Sequence, residues 1–89
     1  MDSIFVHPHA LIHGLTEDEV LWAWSNFVKS QQRSTPNEDQ CIRVGYGKTT
    51  PNAIQMIGIT KPYGTLVIHA MTPPQATILD ELGIPRRQR

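Results

Sequence analysis

Residues 41–71 read CIRVGYGKTTPNAIQMIGITKPYGTLVIHAM, and the reading of this stretch decides the fold. From Cys41 to Tyr46, Ile42, Val44 and Tyr46 alternate with Cys41, Arg43 and Gly45, the period of a half-buried strand. Ala53 to Thr60 (AIQMIGIT) is more continuously apolar, as suits a central strand. Thr65 to Met71 (TLVIHAM) is a third strand, with His69 expected on the face of Val67 and Met71. Between them lie GKTTPN, and Lys61-Pro62-Tyr63-Gly64 with proline and glycine where a type I turn prefers them. Two short hairpins in succession predict an antiparallel meander.

Upstream of the strands, Thr16-Glu17-Asp18-Glu19 forms a capping box: Thr16 can cap the N–H of residue 19 while Glu19 reaches back. Val20, Ala23, Trp24, Phe27 and Val28 then recur at the spacing of one helical face, which predicts an amphipathic helix from Glu17 to Lys29. Trp24 and Phe27 read as core. Trp22 falls off the stripe and is a candidate partner-binding residue. Residues 30–40 (SQQRSTPNEDQ) read as a polar loop. Ser3 to Val6 (SIFV) reads as a brief extra strand.

Downstream, Thr72-Pro73-Pro74-Gln75 reads as a helix start, with Thr72 as N-cap and proline at the first position. Ala76, Leu79 and Leu82 give that helix a face, and Gly83 and Pro85 stop it. The expected fold is therefore α+β: a small antiparallel sheet of three to four strands, with an N-terminal amphipathic helix and a short C-terminal helix packed on it. Residues 1–85 form one domain. Residues 86–89 form a frayed basic tail whose Arg86 and Arg87 are candidate partner contacts.

Composition bounds the function. At 89 residues the chain holds a single core, and 39% apolar against 18% charged residues suits an ordered globular domain. No apolar run reaches the roughly 18 residues that a membrane span requires, so no membrane partner is expected. The N-terminus, MDSIFVHPH, has an acid where a signal peptide would be basic, and a cytoplasmic protein is expected. The lone Cys41 reads as an inert buried thiol. Net charge is zero, yet residues 40–79 contain Arg43, Lys48 and Lys61 and no acid, so a neutral total covers a mildly basic second half.

Three of the four histidines fall in HPHALIHG, residues 7–14, and the fourth is His69. Pro8 suits the first turn of a helix and Gly14 the left-handed position after it, which predicts one turn with His9 and His13 on one face. Imidazole accepts a proton and imidazolium donates one near neutral pH, so converging histidines could act on a ribose hydroxyl and a leaving oxygen. Arg43, Lys48 and Lys61 are the candidate phosphate contacts. Each histidine also has a structural reading: His13 as a helix-end cap, and His69 as a hydrogen-bonded sheet residue. His7, His9 and His13 read H-x-H-x3-H, but no glutamate lies between the helical pair and no fourth ligand is evident, so neither metal nor cofactor is expected. GYGKTT lacks the spacer and second glycine of a P-loop, and no nucleophilic serine motif occurs.

The order HALIHGLTEDEVLWAW, IRVGYG, a second strand, GTLVIHAM and a closing helix resembles the BrnT-type small toxins of bacterial toxin–antitoxin systems, which share the fold of RelE-like ribonucleases. The similarity spans residues 4–82. It implies a compact sheet with helices packed on it, metal-independent cleavage of RNA, and a cognate antitoxin as partner, with room for a homo-oligomer inside such a complex. The matching positions are the histidine–alanine and histidine–glycine pairs at His9 and His13, and the histidine–alanine pair at His69. Two features depart from the pattern: the chain is neutral where such toxins are basic, and Thr72-Pro73-Pro74 stands where relatives often carry an arginine. An alternative of another class is a non-catalytic protein-binding module that uses the open face of the sheet.

Overall fold

A computed structural model describes residues 3–34, 36, 38–49 and 52–84. The chain runs β1 (Ile4–Val6), a 3-10 turn (Pro8–Leu11), α1 (Glu17–Ser25), β2 (Phe27–Gln32), β3 (Gln40–Tyr46), β4 (Ala53–Lys61), β5 (Gly64–Met71) and α2 (Ala76–Glu81). The strands form one sheet in the order β1-β5-β4-β3-β2. The predicted meander is present as β3, β4 and β5, and the domain is α+β. The sheet has five strands, however, and it is mixed, because β1 adds to the outer edge of β5 in parallel, with Ile4, Phe5 and Val6 opposite Thr65, Leu66 and Val67.

The additional strand is β2, whose residues read in the sequence as the end of a helix and the start of a loop. Thr16 caps α1 as expected, the Glu19 N–H donating to its hydroxyl at 3.2 Å, whereas the Glu19 carboxylate accepts from the Thr49 N–H at 3.2 and 3.3 Å. The helix ends at Ser25, where the Asn26 backbone and side-chain amides both donate to the Trp22 carbonyl at 2.9 Å. The chain then turns at once onto β3. Gly45 permits this crossing: a Cβ there would sit 2.5 Å from the Ala23 carbonyl oxygen and 3.0 Å from the Phe27 Cα. Phe27 is consequently 43% exposed rather than core.

The sheet carries a core on each face. On one, Val20, Ala23 and Trp24 of α1 pack with Ala10, Ile54, Met56, Val67 and Ala70. Gly58 makes room for the indole, since a Cβ would lie 2.5 Å from the Trp24 Cη2. On the other face, Ile78 of α2 and Leu82, the C-cap of that helix, pack on Ile42 and Val44. Arg33 holds α2 in place from beyond the end of β2 through a two-pronged ion pair with Glu81, at 3.0 and 3.1 Å.

The start of α2 differs from expectation. Thr72 does not cap it. Its hydroxyl donates instead to the Ala53 carbonyl at 2.8 Å, and the Thr72–Pro73 peptide is cis. Gln75 occupies the N-cap position without a side-chain capping bond. The helix ends as expected, with Gly83 at φ +72 and the Ile84 N–H returning to the Leu79 carbonyl.

Candidate functional site

Register and a bulge determine where His69 points. Ile57 lies opposite His69 and Gly58 lies opposite Val67, so Ile68 is the extra residue of a β-bulge. Directly opposed residues share a face of the sheet. Val67 and Ala70 face α1, whereas His69 and Met71 share the α2 face with Ile57 and Gln55, which stand opposite Ile42 and Val44 of β3. Strict alternation predicts His69 on the face of Val67; the bulge separates them.

β1 pairs only with Thr65–Val67, so beyond Val67 the outer edge of β5 is flanked by the 3-10 turn, which packs against it. His7 is the N-cap of that turn, its Nδ1 accepting from the His9 N–H at 3.0 Å. His9 lies within the turn. His13 lies outside it, just before Gly14, which has φ +86 and redirects the chain towards α1. The expected single turn bearing His9 and His13 on one face is therefore shorter than the histidine spacing. His13 nevertheless meets His69, ring centroids 5.9 Å apart and rings inclined by 74°. His7 and His9 make a second edge-to-face pair at 6.5 Å.

The His69 pKa is held below the ordinary histidine value, first by burial and then by the charges His13 and His9 would carry. Burial and these neighbours thus favour the neutral form of His69, while His9 and His13 are exposed.

One partner of His69 was not anticipated from the sequence. Gln55, 1% exposed and the one buried polar side chain among the described residues, lies 2.9 Å from the imidazole Nε2 through its amide nitrogen. The Gln75 backbone N–H donates to the Gln55 Oε1 at 2.6 Å, and the Gln55 Nε2 donates to the Gln75 Oε1 at 3.0 Å. A polar residue inside the apolar AIQMIGIT run was the available signal.

The cationic candidates do not gather here. Arg43 faces α1, on the other side of the sheet: its guanidinium lies 4.3 Å from the ring centroids of both Trp24 and Phe27, and donates to the Trp24 carbonyl at 2.9 Å and to the Ser30 hydroxyl at 3.1 Å. These bonds make it an internal tie between α1, β2 and β3 rather than a phosphate contact. Lys48 stands over Trp22, 5.1 Å from its ring, beside a shallow hollow of about 470 Å³ lined by Asp18, Leu21, Ser25 and Asn26 as well. Lys61 ends β4 at the hairpin, four residues from Ile57, the neighbour of His69, or about 13 Å along the strand. Trp22 is exposed, as expected. Arg86 and Arg87 lie outside the described residues. Cys41 is half-buried with its sulfur 3.3 Å from the Ser30 hydroxyl. Among the described residues no three His, Cys, Asp or Glu side chains are grouped to hold a metal ion, and no helix is long and apolar enough to cross a membrane.

Compared with known proteins, the chain matches no family model, no curated protein and no solved structure.

Proposed function

We propose that the chain is a metal-independent endoribonuclease of the small-toxin type, acting in the cytoplasm and neutralised by a cognate antitoxin. The observation that carries this reading is the meeting of His13 and His69 at the outer edge of β5, with rings 5.9 Å apart. Two imidazoles at that separation can flank a single phosphodiester. In the reaction, the ribose 2′-oxygen bonds to phosphorus as its proton passes to a neutral imidazole. The P–O5′ bond then breaks, and the departing oxygen takes a proton from an imidazolium, giving a 2′,3′-cyclic phosphate and a 5′-hydroxyl. Exposed His9 and His13 suit the two proton-transfer roles, and neutral His69 suits a hydrogen bond to the phosphate. Arg43 has no part in this scheme, which leaves Lys48 and Lys61 to attract RNA over longer range.

Incubating the purified chain with single-stranded RNA tests the reading. We expect cleavage that survives a chelator and leaves cyclic phosphate ends, with His13→Ala and His69→Ala each lowering the rate by about 10²-fold or more. Intact RNA at protein excess, or activity lost on chelation, would overturn it.

Phe5 and Tyr63 favour a second reading, that of a protein-binding module. Both are exposed, in edge-to-face contact at 5.2 Å, on sheet surface away from the strand that α2 covers. That reading expects no effect on RNA, and a stable complex with the product of an adjoining reading frame that is lost in Phe5→Glu.

A further inference from the structure

We infer that Gln55 is a positioning residue that fixes His69 as the neutral Nδ1–H tautomer, so that this ring serves its site as a hydrogen-bond donor and not as a proton acceptor. The inference rests on the reading of His69 as part of the site, and it gives that histidine one role out of two.

A backbone N–H can only donate, so the Gln55 atom facing the Gln75 N–H at 2.6 Å must be the amide oxygen. This removes the usual ambiguity between amide oxygen and nitrogen. The nitrogen therefore faces His69, and an amide nitrogen has no lone pair to offer. At 2.9 Å, the His69 Nε2 can only accept. In a neutral ring the remaining proton then sits on Nδ1.

The second amide proton of Gln55 is directed at the Gln75 Oε1, with the Met71 sulfur at 3.8 Å, so the amide is anchored from both ends. An imidazolium at this position would set N–H against N–H. The amide thus acts in the same direction as burial and the neighbouring histidines, all of which favour the neutral ring. With Nε2 occupied, only Nδ1–H is left to meet a ligand, and a neutral imidazole N–H is an electrophilic donor suited to a phosphate oxygen. Proton acceptance falls to the exposed rings.

Long-range 1H–15N correlation spectra of the 15N-labelled chain at pH 7.5 test this without any substrate. In the wild type we expect the His69 Nε2 at the shift of an unprotonated ring nitrogen and Nδ1 at that of a protonated one. In Gln55→Glu, where the carboxylate retains the Gln75 contact but accepts instead of donating, the proton should move to Nε2 and the His69 pKa should rise by at least one unit. Gln55→Leu should give a mixture of tautomers. An Nε2–H tautomer in the wild type would overturn the inference, and that spectrum decides the matter even if neither variant folds. So would one unchanged tautomer across folded variants. A wild-type chain with the expected tautomer and no action on RNA would refute the nuclease reading and leave the assignment of His69 standing.

Discussion

At the scale of single residues, Arg43 illustrates how a cation on a strand can be misread. From the sequence it is an exposed-face residue near other basic groups; in the structure its guanidinium is stacked between two rings and bonded to the last turn of α1. Arg43→Ala should therefore act on stability. Loss of a charged hydrogen bond to the Trp24 carbonyl and of the stacking should cost about 1.5–3 kcal/mol, measured as a lower urea midpoint. A true phosphate contact would instead lose activity at an unchanged midpoint. The histidines were legible as a candidate set, because three fall within eight residues and the fourth lies on a strand. Their grouping was not, since it depends on a bulge at Ile68 and on the short length of β1, neither of which has a residue signature here.

At the scale of elements, the strands from Gln40 to Met71 were readable because each buries alternate residues against a core and carries that burial as a pattern. β2 has no such pattern. It is an edge strand, mostly exposed on both faces, stabilised by its backbone ladder to β3, and FVKSQQ shows no alternation. Asn26 caps the helix end at Ser25, but nothing local sends the chain straight on into a strand. The cause lies twenty residues away in Gly45, whose missing side chain admits the chain as it crosses from helix to strand. Gly45→Ala should destabilise the domain by about 1–3 kcal/mol, because the new methyl meets a backbone carbonyl that cannot swing aside. A urea midpoint indistinguishable from wild type would show that the crossing does not depend on the missing side chain. The apolar face of α2 was legible for the same reason as the strands, but its start was not: the Thr72 hydroxyl and the Gln75 amide are both engaged by β4.

At the scale of the whole molecule, the lowered pKa of His69 makes stability depend on pH. A depressed folded-state value means that the unfolded chain binds this proton more readily. The contribution is therefore complete above the ordinary histidine value of 6.5 and declines as pH falls from there through the folded-state value. Urea midpoints at pH 7.5 and pH 5.0 should show the wild type losing more stability on acidification than His69→Asn. Equal losses would mean that the ring is indifferent to its surroundings.

The parallel pairing of β1 with β5 has one more consequence, for the order of events during synthesis. The first strand has no partner until the last has been made, and closing so long a loop is among the slower steps of forming a sheet. α1 and the β3–β4 hairpin consist of local contacts and can form earlier. His13 and His69 therefore meet only when the segment carrying β1 docks on a completed β5. A polypeptide still emerging from the ribosome, surrounded by RNA, carries the histidines of HPHALIHG but no assembled pair.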